Sequence, residues 1–218
     1  MNVAAYIDHT LLKSTTAPSD IKILCSEAKE YQFAAVCIPP PYVRTAAASL
    51  KGSSVKVATV AGFPFGYSVA LAKLAEVQQA IKDGAQEIDV VINLAALKSG
   101  SWNYLESEIE LLMEPIHSSG RIIKVIVESG ILTEEELIHC CKIYGSAGVD
   151  FVKTSTGYAE TGATIKAVQL MRANLPSRVQ IKASGGIKTF EFARQLIEAG
   201  ASRIGCSAGV AIVKQSHE

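Results

Sequence analysis

The sequence predicts a closed α/β barrel, the (β/α)8 or TIM-barrel fold, as a single domain over residues 1–218, and three observations predict it. Short β-branched runs alternate with helical segments from end to end, the pattern of a parallel sheet with helical crossovers. Gly84, Gly148 and Gly200 each follow a helical segment and precede a strand, and five positions on from each stands Asp89, Lys153 or Gly205. Glycine-rich segments follow the last two strand candidates, the place where (β/α)8 barrels often bind phosphate.

The elements follow in order. Residues 6–10 (YIDHT) are the short first strand that eight-fold closure requires, and 34–38 (AAVCI), 55–60 (VKVATV) and 87–92 (EIDVVI) come next. The second half contributes 121–127 (RIIKVIV), 149–153 (VDFVK), 179–182 (VQIK) and 202–205 (SRIG). Between strands, Leu74, Val77 and Ile81 form an apolar stripe that ends at Gly84, a good residue for leaving a helix. Thr133 and Glu136 form a capping box, and Leu137, Cys140, Cys141 and Tyr144 share the buried face behind it. The 218 residues lie near the lower end for such a barrel, whose minimum is roughly 200. An open doubly wound sheet is the alternative, but no GxGxxG or Walker loop follows the first strands.

Composition excludes several classes. With 49% hydrophobic residues and 21 basic against 21 acidic ones, the chain is neither disordered nor charged like a nucleic-acid binder. No apolar run approaches the roughly 20 residues of a membrane span, and the N-terminus carries no secretory signal. Five cysteines without CxxC spacing are read as free thiols of a cytoplasmic protein. Four scattered histidines predict no metal site, and no cofactor is expected.

Strand alternation indicates which side chains face the lumen. It places Lys124, Lys153 and Lys182 there together with Asp89 and Glu128. A single strand lysine is adequately explained by an ion pair, and Lys124 is read that way, paired with Glu128 or Asp89. Two lysines near the ends of adjacent strands are different, because like charges repel where the dielectric is low. Their repulsion is expected to hold one amine neutral, hence nucleophilic toward carbonyls. A Schiff base so formed is an electron sink for carbon–carbon bond cleavage, which points to an aldolase-type lyase. The loops 184–188 (SGGIK), with Thr189 as a helix cap, and 205–209 (GCSAG) offer backbone amides to an anion such as a sugar phosphate. The segment 154–157 (TSTG) adds hydroxyl and amide donors, although each of these loops could equally be a tight turn.

The motifs 7–13 (IDHTLLK), 36–39 (VCIP), 62–66 (GFPFG), 87–93 (EIDVVIN), 124–128 (KVIVE), 151–157 (FVKTSTG) and 182–187 (KASGGI) span nearly the whole chain. In this order they closely resemble the deoxyribose-phosphate aldolase family, Schiff-base aldolases built on a (β/α)8 barrel. The resemblance implies that Lys153 is the Schiff-base lysine, that Lys182 tunes it or assists proton transfer, and that Asp89 is the acid–base group. It also implies substrate contacts at Asp8, Cys37 and Thr156, and a phosphate site at Gly157, Gly185, Gly186 and Ser207. The implied substrate is 2-deoxy-D-ribose 5-phosphate, and a dimer or higher homo-oligomer is expected, with no nucleic-acid or membrane partner.

Two departures stand out. Some members end in a tyrosine-bearing tail that assists protonation, whereas residues 213–218 (VKQSHE) hold none. Tyr158 follows Gly157 where some relatives carry lysine, which bears on the phosphate or sugar contacts. Cys37 could equally be a small buried apolar group, and Phe63 and Phe65 could shape a pocket mouth or simply pack beside Pro64. Another Schiff-base barrel aldolase, transaldolase-like or acting on keto acids, and a catalytically silent phosphosugar-binding barrel are the competing functional readings.

Overall fold

A computed structural model describes residues 1–217; Glu218, the end of the 213–218 tail, lies outside the described residues. Eight parallel strands run in sequence order around a closed barrel. They are β1 (Ile7–Thr10), β2 (Ala35–Ile38), β3 (Lys56–Ala61), β4 (Glu87–Val91), β5 (Ile122–Ile126), β6 (Phe151–Lys153), β7 (Gln180–Ser184) and β8 (Arg203–Cys206). Closure is made by β1, which pairs with β2 on one side and β8 on the other, Asp8 lying opposite Gly205. Each strand begins or ends within two residues of its expected place.

The helices form the outer ring. They are α1 (Pro18–Glu30), α2 (Val43–Ser49), α3 (Ala70–Asp83), α4 (Leu94–Lys98), α5 (Trp102–Ser118), α6 (Glu134–Ala147), α7 (Ile165–Asn174), α8 (Phe190–Glu198) and α9 (Gly209–Gln215). One helix follows each strand except β4, which is followed by both α4 and α5. The expected capping box opens α6: Glu136 N–H donates to Thr133 Oγ1 at 3.2 Å, and Thr133 N–H donates to Glu136 Oε2 at 2.9 Å. Leu137, Cys140, Cys141 and Tyr144 are buried as the period requires. The inner face of α3 is turned slightly from the expected stripe. Lys73, Val77 and Ala80 are buried, while Leu74 and Ile81 are half-buried, because Lys73 reaches inward to Glu108. Among the described residues no helix is long and apolar enough to cross a membrane.

Alternation along the strands sorts two interiors. Outward residues such as Val36, Ile88, Val90, Ile123, Val125, Val152, Ile181 and Ile204 join the helices in one continuous apolar core. Burying each such side chain stabilises by about 1.5–3 kcal/mol, so this layer holds the helices to the barrel. Inward residues divide by strand. Ala35, Cys37, Ala58 and Val60 on β2 and β3 make a small apolar cluster with Leu12 and Phe63. The remaining strands put Asp8, Glu87, Asp89, Lys124, Lys153 and Lys182 into the lumen, all buried.

Candidate active site

The lumen charges converge on Asp89. Its Oδ2 accepts from Lys153 Nζ at 2.8 Å and Lys182 Nζ at 2.7 Å, and its Oδ1 accepts from Lys124 Nζ at 2.8 Å. Register explains the meeting: Asp89 is level with Lys124 on β5, and Lys153 is level with Lys182 on β7. Space for Lys182 comes from Gly205 on β8, where a Cβ would stand 2.9 Å from Lys182 Cε. The network extends downward, with Lys182 Nζ 2.6 Å from Asp8 Oδ2 and Lys124 Nζ 2.6 Å from Glu87 Oε2. Arg203 closes it, 2.6 Å from Asp8 and 3.2 Å from Glu87. Four cationic side chains thus meet three carboxylates in a nearly dry interior.

Burial alone would push the Asp8 and Asp89 carboxyls up. The surrounding ammonium groups outweigh it and hold Asp8 below, and Asp89 well below, the usual carboxylate range. For Lys182, burial works downward, but Asp8 and Asp89 hold its ammonium well above the usual lysine range. Lys124 is raised in the same way against burial by Asp89 and Glu87. Repulsion between neighbouring lysines therefore does not neutralise Lys182, because the two amines share a carboxylate oxygen that the motif spacing alone does not reveal.

Glu128 departs from its expected pairing with Lys124. Its carboxylate accepts from the Thr156 amide at 3.2 Å and from the Thr156 hydroxyl, while burial raises its carboxyl. Its backbone is left-handed, with φ 54°, a strained conformation for a non-glycine residue at the end of β5. Asp8 is fully buried beneath the reaction zone, a network member and not part of the cavity wall. Cys37 is also fully buried, its sulfur 3.9 Å from Asp89 Oδ2, and burial pushes its thiol up. Sequence reasoning did not bring Arg203 into the lumen. The alternation Arg203, Gly205 along β8 was the available signal.

Above the network, at the C-terminal ends of the strands, opens a cavity of about 400 Å³. Its wall brings together Lys153 and the expected Thr156, Gly157, Gly185, Gly186 and Ser207, and adds Leu12, Lys13, Tyr158 and Lys188. Gly185 and Gly186 adopt φ 89° and 77°, so only glycine lets the loop turn its backbone toward a ligand there without strain. Thr189 caps α8 directly after this loop, accepting from Phe192 N–H at 3.3 Å. An adjoining apolar cavity of about 330 Å³, lined by Pro39, Val60, Phe63 and Pro64, shares Leu12 and Tyr158 with the first. Among the described residues, no group of three or more His, Cys, Asp or Glu side chains is arranged to hold a metal ion.

A parallel barrel with an amine at the floor of a glycine-lined cavity, and a carboxylate shared by three amines beneath it, defines the class of barrel aldolases. The chain belongs to the DeoC/LacD family of aldolases, whose pattern it matches over residues 2–217, and it is accordingly a carbon–carbon lyase. It is 50% identical over 216 residues to the deoxyribose-phosphate aldolase of Thermoanaerobacter sp. (strain X514), covering 99% of this chain and 97% of that one. With the deoxyribose-phosphate aldolase of Streptococcus gordonii it shares 47% identity over 214 residues, covering 98% and 96%. The tetrameric deoxyribose phosphate aldolase of Aeropyrum pernix superposes with a TM-score of 0.92 at 30% identity, covering 99% of this chain and 91% of that one.

Proposed function

We propose that the chain reversibly cleaves 2-deoxy-D-ribose 5-phosphate to D-glyceraldehyde 3-phosphate and acetaldehyde through a Schiff base on Lys153. One observation carries the reading: of the three amines on Asp89, Lys153 alone also lines the glycine-walled cavity. Lys153 attacks C1 of the open-chain sugar as a free amine, its proton leaving along the hydrogen bond to Asp89 Oδ2. Loss of water gives the iminium. The C3 hydroxyl then gives up its proton and the C2–C3 bond breaks, because its electron pair forms an enamine conjugated to the former iminium. Glyceraldehyde phosphate departs, C2 takes a proton, and hydrolysis returns Lys153 and acetaldehyde.

Asp89 and Lys182 serve these transfers as a hydrogen-bonded pair, 2.7 Å apart, whose resting state is carboxylate and ammonium. The apolar side of the lumen supports a deoxy substrate. Val60, Cys37 and Ala58 offer no polar side chain of hydroxyl or amide type to a 2-hydroxyl near Asp89. The phosphate is assigned to the backbone of Gly157, Gly185 and Gly186 and to Ser207, with Thr156 and Glu128 holding the wall. The protein acts in the cytoplasm, a reading supported by five free, buried cysteines. Its single catalytic domain assembles into a dimer or higher homo-oligomer, supported by the tetrameric relative.

Borohydride reduction in the presence of acetaldehyde tests the reading. A stable adduct mapped to Lys153, with glyceraldehyde 3-phosphate released from deoxyribose 5-phosphate in a coupled assay, is the expected result. Trapping with a ketose phosphate but with neither acetaldehyde nor deoxyribose phosphate would overturn it.

A further inference from the structure

The phosphate site proposed above contains amides and a serine hydroxyl, and the residue after its 154–157 segment is the uncharged Tyr158. A phosphate dianion seated on amides alone lacks a charge partner. Two lysines line this cavity. Lys188 belongs to the glycine loop itself, whereas Lys13 enters from the β1 side. The lysine ion pairs among the described residues are those of Lys73, Lys98, Lys124, Lys153, Lys166 and Lys182, so neither Lys13 nor Lys188 is committed elsewhere.

The segment carrying Lys13 is tied down from two directions. Tyr158 Oη donates to the Leu12 carbonyl at 2.8 Å, joining positions 146 residues apart in sequence. On the far side the Lys13 carbonyl accepts from Thr16 Oγ1 at 2.7 Å and from Thr16 N–H at 3.1 Å. The Thr16 carbonyl accepts in turn from Tyr42 Oη at 2.7 Å. The Tyr158 ring is itself braced edge-on against Phe63, centroids 5.4 Å apart. A loop lysine would ordinarily lose much entropy on fixing a ligand. With the backbone on both sides of Lys13 already held, the remaining cost is that of the side chain alone.

We propose that Lys13 is a phosphate-binding cation of this site and that Tyr158, through the Leu12 carbonyl, is the residue that positions it. The inference rests on the substrate reading above. It gives Tyr158 a definite task at the position where some relatives carry lysine: it holds a cation contributed by another strand. The charge is relocated from the β6 loop to the β1 loop.

The test uses the full chain and four variants, Lys13→Gln, Lys13→Arg, Tyr158→Phe and the Lys13→Gln/Tyr158→Phe double. Affinity for inorganic phosphate, measured by calorimetry, is expected to fall on the order of tenfold in Lys13→Gln and to be largely retained in Lys13→Arg. Tyr158→Phe is expected to weaken phosphate severalfold, and the double variant to be no weaker than Lys13→Gln alone, since the tyrosine acts through the lysine. The ratio of kcat/KM for deoxyribose 5-phosphate to that for unphosphorylated 2-deoxyribose should fall by the same factors. Unchanged phosphate affinity in Lys13→Gln, or parallel loss with both sugars, overturns the role of Lys13. Full additivity in the double variant overturns the role of Tyr158. Absence of turnover with either sugar in the unmodified protein would instead sink the substrate reading, while the phosphate titrations would still decide on Lys13.

Discussion

Two sites in this molecule bury lysine, and only one of them is built for chemistry. Between α3 and α5, outside the barrel, Lys73 Nζ donates at 2.8 Å to both Glu108 Oε1 and the Val91 carbonyl. Glu108 Oε2 accepts from the Asn93 amide at 3.2 Å, and Gly62 leaves room for the lysine, since a Cβ there would stand 2.8 Å from Lys73 Cε. Burial lowers Lys73 and raises Glu108, each opposed by the other's charge, in a one-to-one pair that lines none of the cavities described above. In the lumen, three ammonium groups share Asp89, a fourth cation sits below, and one amine opens on a cavity. Burial of a lysine is therefore not itself the mark of a nucleophile. Shared carboxylate oxygens and an open side are.

Substitutions at the two sites should separate cleanly. Lys153→Ala is expected to lower kcat by about 10⁴-fold or more, since no other amine of the network reaches the cavity, with a melting temperature close to that of the unmodified protein. Retained borohydride trapping in that variant would show that the nucleophile lies elsewhere. Asp89→Asn should cost about 10²–10⁴-fold in kcat. It should also lower the urea midpoint, because three buried ammonium groups lose their common partner; a midpoint that stays put would mean the lumen readily admits water.

At the outer pair the pattern should reverse. Lys73→Met, which leaves Glu108 buried and unpaired, is expected to destabilise by about 3–5 kcal/mol, with kcat per folded molecule nearly intact. Lys73→Met with Glu108→Leu should regain most of that loss in a chemical-denaturation series. If the double variant were instead inactive, the outer pair would belong to the catalytic apparatus.

The smallest effects concern pH. Asp8 and Asp89 have depressed folded-state values, so their contribution is present above about pH 4 and is lost as pH falls through those lower values. Lys182 is raised, so its contribution is complete below about pH 10 and is lost as pH rises through its folded value. The lumen network should therefore contribute evenly between those limits. Burial pushes the thiols of Cys140, Cys141 and Cys206 up to about 12. Above about pH 8.5 the unfolded chain gains thiolates first, and stability should decline as pH rises toward 12. At pH 8 these three thiols should resist iodoacetamide until urea is added; alkylation of the folded protein would contradict their burial.

The barrel is legible in the sequence because its outward row is apolar on nearly every strand and its glycine junctions recur in phase. Asp89, Lys153 and Lys182 are legible for the same reason, since alternation puts each on the inner row. Arg203 is not, because a charged residue opening a short strand reads as solvated and its inner neighbour Gly205 has no side chain to mark the face. Lys73 is hidden more deeply. A helix lysine reads as surface, its partner lies 35 positions away, and the complementary gap at Gly62 exists only in three dimensions. The state of Lys182 was misjudged for a related reason: Asp8, which helps hold its proton, arrives from the opposite end of the chain.

The ion pair between Asp8 and Arg203 also sets an order on folding. These residues are 195 positions apart, and they meet only when β8 docks against β1. Such a contact is among the last a chain can form, because the loop it closes is nearly the whole molecule. Until that moment Lys182 has no Asp8 beside it, and Gly205 has not yet opened the space the lysine occupies. A ribosome-bound chain that has emerged only as far as β7 carries Lys153, Lys182 and Asp89 but not their arrangement. The reactive amine is thus set in its network at the same step that seals the barrel, so its chemistry is withheld from the incomplete chain.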